Sequence, residues 1–393
     1  MEIDGTLYFD YQASTPIDPR VLAAMMPFWR ESFGNPHASD HRLGWRAGLA
    51  VDEACERVAR LIGADADEIV FTSGATEANN LALLGLSRRR SGGNRRRILV
   101  SAIEHKCILR AAQAVSEQLG FSVELLPVCS NGCVDLDYLS QTLDQDVLLV
   151  SVMAMNNEIG TIQDLREIYK IISKSESYFH CDAAQAPVAL DLNYLAETAD
   201  MVSLSGHKMY GPQGVGALYI RRDLQREIEP LFYGGGQQAG LRSGTVPLPL
   251  VIGMAKAAEL VTSSEANEER KRVQEMRNRF VYLLKKRIPS LVLNGPEFSV
   301  RHPGNANLRF PSVAAEDLLL ALQPRLAAST GAACTTGIPE PSHVLRAIGL
   351  SAEETDASIR FSFGRFTESA HIDEAIELIS TAYARLIENM GIH

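Results

Sequence analysis

The chain has 393 residues, of which 46% are hydrophobic and 22% charged, a mix that fits a folded globular protein of two or three units at about 150 residues each. Its 29 Gly and 17 Pro follow no repeat, which excludes collagen-like, coiled-coil and disordered classes. With 38 Lys and Arg against 48 Asp and Glu, the net charge of -10 argues against holding nucleic acid or an anionic membrane by bulk charge, although a local basic patch stays open.

The start, MEIDGTLYFDY, is acidic where a secretory leader would be basic. No apolar run approaches the roughly 18 residues of a membrane span. Both features predict a soluble, cytoplasmic protein. Cys55, Cys107, Cys129, Cys133, Cys181 and Cys334 are too few and too scattered for a disulfide framework and fit free thiols. The spacing of Cys129 and Cys133 in CSNGC matches no zinc pattern, so no metal site is expected.

In chain order, Val51, Ala54, Cys55, Val58, Leu61 and Ile62 recur at helical spacing, and similar faces lie near 76–90, 105–119, 164–174 and 266–288. Short β-branched runs fall between them at Ile98 to Val100, Val147 to Val152 and Val215 to Ile220. Strands alternating with helices predict an α/β fold with a mostly parallel sheet covered on both faces, whose ligands collect at the carboxyl ends of the strands. The charged stretch 263–280 reads as a long exposed helix leading into a second unit, with a boundary near 260. Helices are expected over 315–326, 342–349 and 372–390, with strands around Asn307 to Phe310 and Ser358 to Ser362. Cys55 and Cys107 lie on helical faces and are expected in the core.

Four motifs carry chemistry. FTSGATEANN (71–80) ends a strand, turns, and opens a helix at Thr76, whose free N–H groups form an anion site suited to a phosphate. His105 follows the strand ILVSA, placed to lie on an aromatic cofactor or to move protons. YFHCDAAQAP (178–187) ends a strand at Asp182, a carboxylate able to pair with a protonated ring nitrogen, and Gln185 is three residues on. SLSGHKMYGPQGVG (203–216) aims Lys208 from a strand end toward a cleft. Taken alone, each has a plainer reading: a structural turn and cap, a packed histidine, a capping Asp, a solvated lysine. Together, a lysine for a Schiff base, an anion cradle, an Asp for a pyridinium and an aromatic lid at strand ends describe a pyridoxal phosphate site.

The chain resembles cysteine desulfurases of the NifS/IscS family, among the fold-type I pyridoxal phosphate enzymes, along nearly its whole length. The matching segments include YFDYQASTPIDPRV, FGNPHASDHRLG, FTSGATEANN, EHK, NNEIGTIQD, DAAQA, SGHKMYGPQGVGALY, GGGQQAGLRSGT, STGAACTTGIPEPSHVLRAIGL and SIRFSFGRFT. The resemblance implies a large domain over 16–260 with a mostly parallel central sheet. It also implies a smaller α+β domain over 261–393 carrying the thiol loop (about 329–341), and an N-terminal segment, 1–15, packed near it. It places the cofactor's covalent attachment on Lys208, the pyridinium partner at Asp182, the stacking imidazole at His105 and the phenolate contact at Gln185. Phosphate contacts fall on Ala75, Thr76, Ser205 and His207, with Thr245 donated by the other subunit of a homodimer. The substrate carboxylate meets Arg360 and one of Asn156 and Asn157, with Asn157 favoured.

Cys334, among small residues with Gly331, Gly337, Pro339 and Pro341, reads as a thiol presented on a loop, and the resemblance makes it the group that takes sulfur from L-cysteine. The implied reaction yields L-alanine, an enzyme persulfide and then a sulfur-acceptor protein, for iron–sulfur assembly or nucleic-acid thiolation. Departures from the family pattern are Gln213 where many relatives carry a basic residue, AAC in place of SAC before the thiol, and Cys181, to which no role is assigned. Alternatives are a selenocysteine lyase, an aminotransferase, which has no need of Cys334, and a sulfur-relay scaffold that depends on a partner for turnover. The six arginines of SRRRSGGNRRR (87–97) read as a solvated helix end and loop, or as a docking patch for an acidic protein or RNA acceptor.

Overall fold

The structure, a computed structural model, describes residues 1–331 and 341–391. Its strands are β1 (Glu2–Ile3), β2 (Thr6–Tyr8), β3 (Ile69–Thr72), β4 (Arg97–Ser101), β5 (Ser122–Leu126), β6 (Val147–Ser151), β7 (Tyr178–Asp182), β8 (Met201–Ser205), β9 (Gly216–Ile220), β10 (Val292–Leu293), β11 (Asn305–Arg309), β12 (Leu326–Ala327) and β13 (Ser358–Ser362).

Seven strands form the main sheet in the order β3-β9-β8-β7-β6-β4-β5. Only β9 runs against its neighbours β3 and β8, and every other pairing is parallel. β6, β8 and β9 are buried at every residue, which is why VLLVS, MVSLS and GALYI read as unbroken runs with little alternation. One face is covered by Arg42–Ile62 and Leu248–Val261, whose Ala54, Val58, Ala255 and Ala258 share a core with Val150, Phe179 and Leu204. Lys106–Leu119 and the run from Ala75 to Arg89 cover the other through Ile108, Val115, Leu81 and Leu86. Six of the seven strands share one direction, so their carboxyl ends open at one edge.

A second core lies around the antiparallel sheet β10-β11-β13, packed by Ser264–Arg287 and Ser369–Asn389. Phe280, Phe310, Phe361 and Phe363 fill it, with the rings of Phe280 and Phe363 5.1 Å apart. Leu7 and Phe9 belong to this core, and β2 pairs in parallel with β12. Leu248–Val261 packs in the first core, and Ser264–Arg287 enters the second from Val273 onward.

The expected helix over 315–326 stops at Ala321. Pro324 cannot continue it, and Leu326–Ala327 is drawn into pairing with β2. The arginines of 87–97 are largely consumed by the fold. Arg90 pairs with Glu227 at 3.1 Å, Arg97 with Glu124 at 2.8 Å, and Arg95 and Arg96 donate to the Glu176, Ser91 and Leu119 carbonyls. Among the described residues no helix is long and apolar enough to cross a membrane, and no group of three His, Cys, Asp or Glu could hold a metal ion.

Candidate active site

A cavity of about 590 Å³ opens at the shared carboxyl edge. The turn after β3 supplies Gly74, Ala75 and Thr76, the end of β4 supplies His105, β7 ends in Asp182, and β8 leads to Ser205, His207 and Lys208. Gln185, Asn157 and Arg360 complete the inner wall, so these sequence-predicted residues meet in one place, whereas Asn156 and Thr245 do not line it. Glycine is required at Gly216, because a Cβ there would stand 2.6 Å from the Gly74 backbone. That close approach seats the Ser73–Thr76 turn directly above the reversed strand.

Lys208 Nζ donates to the Gln12 and Ala13 carbonyls at 2.6 and 2.9 Å. Gln185 Nε2 donates to the same Gln12 carbonyl at 2.9 Å. Asp182 is 5% exposed and doubly held: Oδ1 accepts from Ala184 N–H at 2.9 Å, and Oδ2 from Asn79 Nδ2 at 2.8 Å. Its carboxylate is thus oriented before any ligand arrives. Burial lowers the His105 pKa and pushes His207 down to about 4, so both rings are neutral at physiological pH.

Arg360, on β13, donates from Nη1 to the Asn157 carbonyl at 2.9 Å and from Nη2 to Asp10 Oδ1 at 2.6 Å. Its buried Nε has no partner among the described residues. Asn156 does not belong to the cavity. It is fully buried, its Nδ2 donates to the Ile103 carbonyl, and its Oδ1 accepts from Glu158 and Ile159 N–H, so only Asn157 of the pair faces a ligand. Cys107, expected in the core, is half-buried: it packs against the core of its helix and also lines the cavity from the first turn of Lys106–Leu119. Cys181 is fully buried within β7. Thr245 is exposed and does not line its own cavity, although Gln238 grips the Phe71 backbone and Arg242 pairs with Glu77 at 2.9 Å close by. Cys334 lies outside the described residues.

Sequence reasoning missed Asp10, Gln12 and Asn79. Asn79 left a signal, a polar residue between Ala78 and Leu81 on a face that had to be buried, whereas Asp10 and Gln12 become partners of the site only through contacts far along the chain.

Cavity and donors fit pyridoxal phosphate. An amine, a doubly anchored carboxylate, a neutral imidazole and a helix-start amide cradle with two hydroxyl-bearing residues, Thr76 and Ser205, surround a space large enough for the cofactor and a small amino acid.

The family model described as aminotransferase class-V matches residues 7–374. A cysteine desulfurase IscS of Rickettsia typhi (strain ATCC VR-144 / Wilmington) is 46% identical over 380 residues, covering 97% of this chain and 92% of its own. The one from Rickettsia felis (strain ATCC VR-1525 / URRWXCal2) is 45% identical over 384 residues, with the same coverages of 97% and 92%. Among solved structures, a NifS-like protein matches with a TM-score of 0.89 at 34% identity, over 96% of this chain and 99% of that one. SspA in complex with cysteine matches at 0.80 and 35% identity, over 92% and 100%. The architecture is that of the fold-type I pyridoxal phosphate enzymes, and with a family model spanning nearly all of its length the chain belongs to the class-V aminotransferase family.

Proposed function

We propose that this protein is a pyridoxal 5'-phosphate-dependent cysteine desulfurase that turns L-cysteine into L-alanine and passes the sulfur through Cys334 to an acceptor protein. The observation that carries this reading is the convergence of Lys208, Asp182, His105 and Arg360 on one strand-end cavity, in a chain 46% identical to a named cysteine desulfurase. When bound, the cofactor supplies an electron sink for the α- and β-carbons of the amino acid.

This chain's residues do the rest. Lys208 Nζ would hold the cofactor, and the same amine stands where it could move the α-proton of a bound amino acid. Asp182 would keep the cofactor's ring nitrogen protonated, its carboxylate being held in one orientation by Ala184 and Asn79. His105 would meet the cofactor's ring as a neutral imidazole, and Gln185 would bind its phenolate oxygen. Ala75, Thr76, Ser205 and His207 would hold the phosphate, and Thr245 of a second copy would close the site. Arg360 and Asn157 bind the substrate carboxylate, which fixes where Sγ lies. The Cys334 thiolate then attacks that sulfur, and a C–S bond is exchanged for an S–S bond: cysteine plus thiol gives alanine plus persulfide, with every atom accounted for.

The homodimer is supported by an exposed apolar face. Leu22, Met26 and Trp29 on Pro19–Arg30, with Phe33, Trp45 and Leu49, are all largely exposed, an area that a second copy would bury. Thr245 stands outside its own cavity on a segment anchored at its base, as a residue donated across an interface must. A reducing cytoplasm suits a reaction that needs a free thiol.

Cys334→Ser is the test. The variant should bind cysteine and change the cofactor's absorption, yet release little alanine and no sulfide, because a hydroxyl is a far poorer nucleophile at neutral pH. Near-normal sulfide release would overturn the persulfide route.

A further inference from the structure

Cys107, which the mechanism leaves unused, sits between two residues that the mechanism needs. Its Sγ is 3.0 Å from His105 Nδ1 and 3.2 Å from Asn79 Nδ2. Its backbone N–H also points at His105 Nδ1, at 3.2 Å, so the ring caps the helix Lys106–Leu119. Asn79 Nδ2 in turn donates to Asp182 Oδ2 at 2.8 Å.

The direction of each bond is fixed by what the groups can give. Burial, with the Asp182 charge adding to it, pushes the Cys107 thiol up to about 12, so the sulfur keeps its proton and is a donor. A neutral imidazole has one N–H and one lone pair. With a backbone N–H and an S–H both directed at Nδ1, the lone pair must be there and the proton on Nε2. An amide nitrogen has two hydrogens, and Asn79 gives one to Cys107 Sγ and the other to Asp182. Turning that amide over would set its oxygen against a carboxylate. Asn79 Oδ1 is instead left buried with no partner among the described residues, so this side chain is placed for its hydrogens.

We propose that Cys107 and Asn79 are positioning residues that lock His105 in its Nε2–H tautomer and tether that ring to the Asp182 carboxylate. The proposal deepens the reading of His105 as the residue against the cofactor ring, and rests on it. A ring whose Nδ1 is occupied twice cannot take up a proton at that atom without losing its helix-capping bond. Only Nε2 is then available for proton traffic, and the bonds that set the ring's tilt are linked through Asn79 to one of the two that orient Asp182.

The test uses the holoenzyme with histidine labelled at the ring nitrogens, the His105 signals being assigned by their loss in His105→Asn. Across pH 6 to 9 the native protein should show the neutral Nε2–H pattern. Cys107→Ala should mix the tautomers or raise the His105 titration by about one pH unit, the equivalent of one ordinary hydrogen bond. Cys107→Ser, which keeps a donor, should restore the native pattern. In parallel, Cys107→Ala should lower kcat for alanine formation several-fold with little change in KM, and Cys107→Ser should recover it. An Nδ1–H pattern in the native protein, or a Cys107→Ala spectrum unchanged in tautomer and titration, would overturn the proposal. A native protein with the Nε2–H pattern but no alanine production would support the lock while counting against the proposed reaction.

Discussion

Arg360→Lys probes the carboxylate anchor most directly. The guanidinium is 4% exposed and is held before substrate arrives, by the Asn157 carbonyl at 2.9 Å and Asp10 at 2.6 Å. Lysine offers one nitrogen on a shorter reach, so it cannot keep both bonds and also grip a carboxylate as a fork. Losing one charge-assisted bond costs about 1.5–3 kcal/mol. At tenfold per 1.4 kcal/mol, kcat/KM for cysteine should fall by roughly ten- to a hundredfold, with most of the change in KM. Alanine formation measured against cysteine concentration gives the split, and a spectral titration of cysteine binding on the same sample gives the affinity directly. A melting curve separates lost binding from lost fold, since the pair with Asp10 also ties β13 to the N-terminal segment. Unchanged kcat/KM, or a fall confined to kcat with cysteine affinity intact, would show that the carboxylate is held elsewhere.

Two further outcomes are expected. Mixing Thr245→Asp with Lys208→Ala under subunit exchange should restore activity in hybrid dimers, and a fully active monomer by sedimentation would refute the shared site. Arg20 foremost, with Arg365, holds the Asp18 carboxyl well below the usual range. A depressed folded value gives stability that is fully present above the unfolded value near 4 and is lost as pH falls from there through the folded value, so unfolding free energy should drop between pH 5 and 2. Asp18→Asn should remove roughly 2 kcal/mol of that drop, and parallel pH profiles for the two proteins would refute the assignment.

The site's inner wall was legible because its residues follow short strands that are buried almost throughout. A strand buried on both faces announces itself, and whatever polar residue ends it stands at the carboxyl edge: Asp182 after YFHC, Lys208 after MVSLSGH, His105 beyond RILVS. Convergence itself is not written in any one segment. Cys107 has Ile108 and Ala111 as neighbours, so its spacing reads as core, yet on the first turn of its helix it faces the cavity. Asn156 and Asn157 are the same residue type in adjacent positions, and only burial tells the loop's internal brace from the residue that faces a ligand. Asp10 is 350 residues from Arg360, a separation across which no periodicity carries information.

That brace explains how two distant parts of the chemistry can share one frame. Asn156 Oδ1 fixes the turn by accepting from the Glu158 and Ile159 N–H groups, and Asn157 presents its carbonyl to Arg360. Glu158 Oε2 accepts from Ser342 Oγ at 2.5 Å, and a Cβ at Gly331, where φ is +85° in any case, would stand 3.1 Å from that same oxygen. Arg301, buried and pulled down to about 9 by that burial and by Arg277, donates to the Ile159 carbonyl at 2.7 Å, clamping the loop from the second core. Four consecutive residues thus join the carboxylate anchor on β13 to both described flanks of the segment that contains Cys334. A desulfurase must hold the substrate by one end and meet its sulfur at the other, and one turn bonded to both Arg360 and Ser342 ties the carboxylate anchor to a described flank of that segment.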